Sequence, residues 1–483
     1  MTATTDRTRT APPTTTTAAG SGPVVRFGRR WIDDYDAEDR ELWNSPAGKP
    51  VARRNLVWSI LAENIGFSVW LLMSISVTFL PAAGFDFSTD QLFWLVSTAG
   101  LVGAALRVPY TFMPALFGGR NWTVVSALLL LIPLTLFTVG VVAPVTAYGY
   151  WLLVAATLGL GGGNFASSMA SISHFFPDRE KGWALGLNAA GGNIGVAVVQ
   201  YFVPKVVLLA GVAVVGGAVG TTEAGQALFL QNAALMWVPL AIVAALGAYF
   251  FMNNLGTARF NFRAQAAAAT RKQTGIMSFL YIGTFGSFIG FSAAFPLLIR
   301  NEFPDVTLAS YAFLGALVGS VSRPVGGLVA DRLGGARVTL STFVLQAVAI
   351  GLILASLAAD SFTGFLWSFL LLFVLVGAAN GSTYRMIPII FRAEAEERAN
   401  ERGETAEQVR ARTRRDAAAA IGLISAVGAF GGVFIPRGLA ESYLATGGVT
   451  AAFIGFLGFY VVCVAVTWWN YIRPSTLFAR AGV

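Results

Sequence analysis

Runs of about twenty apolar residues recur along this chain, separated by short polar segments, and that rhythm predicts its elements. Each run matches the roughly 20 residues a helix needs to cross a hydrocarbon core about 30 Å thick. The pattern predicts twelve spanning helices, at residues 56–80, 91–117, 122–143, 149–175, 183–212, 230–252, 275–299, 308–330, 338–358, 364–391, 417–440 and 450–472. The alternating strands of about ten residues that build a membrane β-barrel are absent from the pattern. An all-α, polytopic membrane protein follows. The polar stretches divide it into a disordered tail over 1–50, a six-helix half over 51–252, a basic loop over 253–274, a second half over 275–473 and a short tail over 474–483. Within the second half a charged insertion spans 393–416, read as a helix or helical extension with solvated charges.

The halves repeat one another. Gly161-Gly-Gly-Asn-Phe-Ala-Ser-Ser-Met-Ala-Ser-Ile-Ser-His-Phe-Phe-Pro177 returns as Gly377-Ala-Ala-Asn-Gly-Ser-Thr-Tyr-Arg-Met-Ile-Pro-Ile-Ile-Phe391, 216 residues later. The same offset pairs Arg107 with Arg323 and Gly118-Gly119 with Gly334-Gly335. An offset of 224 pairs Ile65-Gly-Phe-Ser68 with Ile289-Gly-Phe-Ser292, and one of 236 pairs Gly186-Leu187 with Gly422-Leu423. Six helices followed by six equivalent helices is the parallel-repeat plan of the major facilitator superfamily. The Gly, Ala and Ser of the repeated run let helices pack closely where apolar side chains gain nothing over lipid.

Composition sharpens this picture. The chain has 483 residues, 55% of them hydrophobic and only 12% charged, half the charge of a soluble domain. The net charge of +8 is a topology signal and not a nucleic-acid footprint. Lys and Arg gather in the N-terminal tail, from Arg259 to Lys272 and from Arg392 to Arg415, whereas 81–91, 143–148 and 359–363 carry none. The positive-inside rule then places both termini in the cytoplasm. No apolar core of a cleavable signal follows the start. One cysteine, Cys463, excludes an internal disulfide, and there is neither a phosphate-binding loop nor a Cys/His cluster. No cofactor, no metal and no enzyme chemistry are expected.

Arg107 and Arg323 carry the sharpest chemical signal. An arginine near the bilayer centre costs roughly 2.5–3.5 kcal/mol on insertion scales, so each should face a cavity or partner. Pseudo-symmetry sets them opposite one another across the two halves. Two guanidiniums cannot neutralise each other; their field asks for an anion, and their planar forks suit a small planar oxyanion. Tyr281 and Phe285 share a helix face one turn apart, and with Phe165 and Asn193 they complete a substrate-binding set in which aromatic planes sandwich the anion. Glu63 is the clear carboxylate among the spanning helices. It is read either as a carrier of a coupled proton or as a fixed counter-ion to Arg107. His174 is read as structural, and Lys205 and Arg385 as snorkelling to the surface. Asp331 and Arg332, in the loop after helix eight, are gating candidates that hold adjacent helices together.

The paired Gly-rich runs resemble the nitrate signatures of the nitrate/nitrite porter family, in its NarK-type branch. Ala105-Leu-Arg-Val-Pro-Tyr-Thr-Phe112, Phe117-Gly-Gly-Arg-Asn-Trp122, Tyr281-Ile-Gly-Thr-Phe-Gly-Ser-Phe-Ile-Gly-Phe-Ser292 and Ile435-Pro436 are similar to that group too. The resemblance covers about residues 50 to 473. It implies that Arg107 and Arg323 bracket nitrate or nitrite, that Phe165, Tyr281 and Phe285 are the pocket aromatics, and that Asn193 is the helix-five asparagine. The insertion before helix eleven is similar to that of the branch exchanging nitrate for nitrite. Three positions depart from the pattern: Glu63, where an exchanger is expected to be apolar, Ala189 and Arg385. The expected function is nitrate import coupled to nitrite export by alternating access, with nitrate/proton symport through Glu63 as the alternative. An anion channel and a membrane-embedded sensor are the competing classes. The expected partners are nitrate, nitrite and the lipid bilayer, with no nucleic acid; the expected state is a monomer, linked functionally to a nitrate reductase.

Overall fold

The computed structural model describes residues 30–210, 215–222, 224–256, 269–306, 311–402, 420–480 and 482–483. Residues 1–29 of the expected tail, most of the central loop and 403–416 of the insertion lie outside the described residues.

Among the described residues, twelve helices are long and apolar enough to cross a membrane. Helices one to six are Lys49–Ser76, Thr89–Phe117, Gly119–Val142, Tyr148–Ser173, Asp178–Val206 and Asn232–Phe251; helices seven to twelve are Lys272–Glu302, Ala312–Leu333, Gly335–Ala358, Phe362–Ala399, Ala420–Thr446 and Thr450–Ile472. Eight of them start before the apolar runs, because polar turns continue the helices outside the hydrocarbon, whereas helices one and five end earlier than the pattern predicts, at Ser76 and Val206. Helix five begins at Asp178, with Asp178 and Glu180 in its first turn, where acidic groups complement the helix dipole. A capping box between Ser88 and Gln91 starts helix two. Helix ten runs unbroken to Arg402, so the first part of the insertion is helical. Its Glu394 is not fully solvated: it is 14% exposed, 3.3 Å from Arg398 and 3.9 Å from Arg271.

With an even number of spans, the segments entering helix one and leaving helix twelve lie on one face, here the terminal face; the other is the distal face. The repeat is visible in the backbone. Gly118 and Gly334, at the equivalent junctions of helices two/three and eight/nine, both adopt positive φ, +88° and +92°, a conformation nearly confined to glycine. A Cβ on Gly162 of helix four would meet the Gly103 Cα of helix two at 2.7 Å, and one on Gly377 of helix ten would meet the carbonyl of Gly319, the residue of helix eight equivalent to Gly103, at 2.1 Å.

Residues 30–50 are structured, against the expectation of disorder over that stretch. Trp31–Ile32 pairs in parallel with Asn254–Leu255, inside the expected central loop. The Tyr35 hydroxyl donates to the Phe175 carbonyl at 3.0 Å, and Trp43 Nε1 donates to Glu180 at 3.1 Å. Burial pushes the Tyr35 phenol up to about 12. The segment is polar in composition, but its few aromatics, Tyr35 and Trp43, are buried against Phe175 and Phe176 and anchor it to helices four and five.

The two halves are joined from the middle of the bundle to the distal face. A Cβ on Gly100 of helix two would meet the Gly432 carbonyl of helix eleven at 2.4 Å. Arg437 of helix eleven pairs with Asp90 of helix two at 2.7 Å and lies 4.2 Å from the Trp94 ring. Gln200 of helix five donates to the Ser292 carbonyl of helix seven at 2.7 Å, and the rings of Tyr201 and Phe313 meet at 4.8 Å.

Candidate functional site

Helix two carries Arg107 into the middle of the bundle, where it is fully buried. Its Nε donates to the Gly162 carbonyl at 3.2 Å, and its Nη1 donates to the Ser425 carbonyl of helix eleven at 3.3 Å. The glycine run frees the first of these acceptors: helix four tightens into a short 3₁₀ turn at Gly159–Gly161 before resuming at Asn164. Arg107 Nη2 has no protein partner. The guanidinium carbon lies 4.6 Å from the ring centroids of both Phe165 and Phe285, with Trp70 at 5.4 Å and Phe67 at 5.9 Å.

Arg323 of helix eight approaches the same Phe165 ring, at 5.8 Å, and the Tyr384 ring of helix ten, at 5.7 Å. It is 4% exposed, and its Nη1 is also without a partner. Among the described residues no carboxylate lies within 4.0 Å of either guanidinium. The Tyr281 hydroxyl is buried with no acceptor for its proton, which completes a set of donors, and it faces both arginines, with Arg323 beside its oxygen. Buried polar groups without partners are rare and costly, and these are all cations or hydroxyls. The cluster is built to receive negative charge.

Helix seven shapes the aromatic wall. It widens into a π-helical turn at Ile282–Gly286, a local irregularity frequent at functional sites. Tyr281 and Phe285 stack at 5.6 Å, and Phe285 stacks on Phe165 across the two halves at 5.9 Å. A flat anion between two rings needs about 7 Å, two van der Waals contacts of roughly 3.5 Å each. The expected aromatic sandwich is therefore not open in this state: the rings stack on each other, and the Arg107 guanidinium lies over both.

Glu63 lies at a second polar cluster and is 1% exposed. One carboxylate oxygen accepts from the Ser168 hydroxyl of helix four and, at 2.6 Å, from Asn188 Nδ2 of helix five. The other oxygen has no partner and sits over Gly192, where a Cβ would meet it at 2.3 Å. Glu63 interacts electrostatically with Arg107 and Arg323 but forms an ion pair with neither. Asn193, the next residue after Gly192, is buried with both side-chain polar atoms unpartnered; no contact joins it to the arginines. Asp331 pairs with Arg385, so Arg385 does not snorkel freely, and the pair lies wholly within the second half, between helices eight and ten. Arg332 is exposed. Lys205 is exposed and folds back over Tyr201, as a snorkelling residue does.

A family model for the Major Facilitator Superfamily matches residues 64–404. The nitrate/nitrite transporter NarU of Salmonella typhimurium is 42% identical over 450 residues, covering 92% of this chain and 97% of that protein. The NarU of Escherichia coli is 41% identical with the same coverage. The chain belongs to the major facilitator superfamily, among the NarU and NarK nitrate/nitrite transporters. A probable nitrate/nitrite antiporter, NarK2 of Thermus thermophilus, is 39% identical over 465 residues, again covering 92% of this chain and 97% of that protein. The fold is also that of a bacterial homologue of the human lysosomal transporter Spinster in an inward-facing, unoccupied conformation, with a TM-score of 0.61 at 16% identity, covering 90% of this chain and 99% of that one. Members of this superfamily are transporters and not enzymes.

Within that family frame, the structure brings Arg107, Arg323, Phe165, Tyr281 and Phe285 into one cluster and sets Glu63 in another beside it. Sequence reasoning did not pick out Ser168, Asn188, Tyr384 or the Ser425 carbonyl. For Ser168 and Tyr384 a signal exists: the 216-residue offset pairs them inside the repeated run.

Proposed function

We propose that this chain transports nitrate and nitrite by alternating access, importing nitrate in exchange for nitrite, with the anion held between Arg107 and Arg323. The observation that carries the reading is the pair of buried guanidiniums flanking Phe165, each with an unpartnered N–H and neither within ion-pair reach of a carboxylate. A small planar oxyanion supplies the missing acceptors and charge. Tyr281 donates a further hydrogen bond, and the helix-seven aromatics move apart to admit the anion. Rocking of the halves 51–252 and 275–473 exposes the site to each side in turn. Reorienting two uncompensated cations through a dry barrier is costly, so a carrier without a bound anion resists the return step, and obligatory exchange follows. Asp331 and Arg332 act as gating residues on the terminal face.

The terminal face is cytoplasmic in this reading, the membrane is the bacterial inner membrane, and the working unit is a monomer whose nitrate feeds a nitrate reductase. The distribution of Lys and Arg supports the orientation, and the names of the relatives support the substrates.

A second reading is favoured by one observation. Glu63 is buried and one of its oxygens is unpartnered, as suits a carboxyl that takes up and releases a proton, so the chain would be a nitrate/proton symporter. Purified protein in liposomes separates the two, with external nitrate and an interior that is nitrite-loaded or nitrite-free, following nitrate uptake and internal pH. Exchange predicts uptake only into nitrite-loaded vesicles, without acidification, and survival of that activity in Glu63→Gln. Uptake into nitrite-free vesicles with acidification, abolished in Glu63→Gln, would replace exchange by symport.

A further inference from the structure

We infer that the Tyr384 hydroxyl is a direct ligand of the transported anion, a donor contributed by helix ten beside Arg323. This inference rests on the anion-site reading above and adds a residue to it.

The internal repeat shows why this hydroxyl is free. Tyr384 and Ser168 are equivalent positions of helices ten and four. In the first half the Ser168 hydroxyl is taken up by Glu63. The 224-residue offset that relates helices one and seven puts Ser287 at the position equivalent to Glu63, and Ser287 is already engaged, accepting from the Tyr460 hydroxyl at 2.8 Å. Among the described residues no carboxylate hydrogen-bonds to Tyr384. The two halves have diverged at one equivalent spot: one builds a carboxylate cluster, the other leaves a phenol without a partner.

The place of that phenol gives it a role. Its oxygen is buried and unpartnered, like Arg323 Nη1 and the Tyr281 hydroxyl. Its ring lies 5.7 Å from the Arg323 guanidinium carbon, and the group interacts electrostatically with Tyr281, Arg323 and Glu63. A buried hydroxyl without a partner is destabilising. A small oxyanion bound at Arg323 offers an acceptor next to it. With Tyr281 on helix seven and Tyr384 on helix ten, the second half supplies two phenol donors around its arginine.

The test is Tyr384→Phe, which keeps the ring and removes only the oxygen. Two measurements are made on the purified full chain: the KM and Vmax of nitrate/nitrite exchange in liposomes, and the rise in melting temperature on adding nitrate in detergent. The expected result is a KM for nitrate raised about ten-fold or more, the scale of a hydrogen bond to a charged acceptor, with Vmax within about two-fold. The nitrate-dependent rise in melting temperature shrinks, while stability without nitrate is kept or improved, because the lost hydroxyl had no partner to lose. An unchanged KM overturns the inference. So does a fall in nitrate-free stability with an unchanged nitrate increment, which would make the hydroxyl a packing group. Arg323→Gln is measured alongside. If it abolishes the nitrate increment while Tyr384→Phe leaves it intact, only the role of Tyr384 fails; if Arg323→Gln also responds to nitrate like the wild type, the anion-site reading fails with it.

Discussion

Gly100→Ala tests whether the seam between helices two and eleven must close for transport. The added Cβ would stand 2.4 Å from the Gly432 carbonyl oxygen and 2.8 Å from its carbon, about 1 Å inside ordinary contact. Both opposing atoms are backbone, so no side-chain rotation relieves the clash and the helices themselves must separate. Overpacking of this kind costs about 1–3 kcal/mol. Helices two and eleven belong to opposite halves, so the cost falls on the distally closed state, while the state in which the halves part there is relieved of it. The population ratio moves by roughly five- to 150-fold. The reverse substitution is a built-in control. A Cβ on Gly432 meets only the Ile289 Cγ2 methyl at 3.0 Å and the Gly100 Cα at 3.5 Å, so a small shift of Ile289 accommodates it. Ala293→Cys, in the wall of the small cavity shared by Gly100 and Gly432, reports distal opening by its rate of labelling with a membrane-impermeant maleimide; the native Cys463 is buried. Gly100→Ala should raise that rate and slow exchange by an order of magnitude or more, and Gly432→Ala should change both little. Equal effects of the two substitutions, or wild-type exchange in Gly100→Ala, would refute the role of this seam.

Other expectations can be checked with the same preparation. Asp90→Asn removes the acidic partner of Arg437 across the halves, although Arg437 keeps Glu441; distal labelling should rise several-fold, and adding Arg437→Gln should produce little further change, the signature of a coupled pair. Trp43→Ala empties a buried site and removes one donor from the Glu180 carboxylate, which keeps Lys49 at 3.7 Å; it should cost about 3–5 kcal/mol of local stability, seen as faster proteolysis of the residues before helix one, with KM for nitrate unchanged. Gly118→Ala and Gly334→Ala both force a side chain into a glycine conformation at about 1–3 kcal/mol. The first should be the worse in thermal denaturation, because its Cβ also meets the Asn254 side chain at 2.3 Å while the second meets little.

The twelve helices were legible because membrane-spanning segments must satisfy their backbone internally and face lipid with apolar side chains. Hydropathy therefore reports them almost directly, though not their polar ends. The arginine pair was legible because two intramembrane cations at equivalent positions of a repeat have few explanations. Other features depend on relations that spacing along the chain does not encode. Tyr281 and Phe285 read as one face of a regular helix, whereas the π-helical turn changes how they meet and stacks Phe285 on Phe165. Arg385 reads as a surface cation, and only folding brings Asp331 to it. Residues 30–48 read as tail because their polar composition conceals two anchors, Tyr35 and Trp43, whose partners lie more than a hundred residues away.

The hydrogen bond from Arg107 Nη1 to the Ser425 carbonyl has a consequence for how a carrier keeps count. One donor of the arginine cluster is shared with the opposite half, so in the proposed carrier an anion that draws this guanidinium toward itself competes with a main-chain acceptor on helix eleven. Ligand and interface then bid for the same proton-bearing nitrogen. Whatever changes the hold of helix eleven on Arg107 must change affinity for the anion by an equal and reciprocal factor. Residues around Ser425 that never touch the ligand thus become a dial for its affinity, and a screen for altered uptake should return substitutions there as well as in the cluster itself.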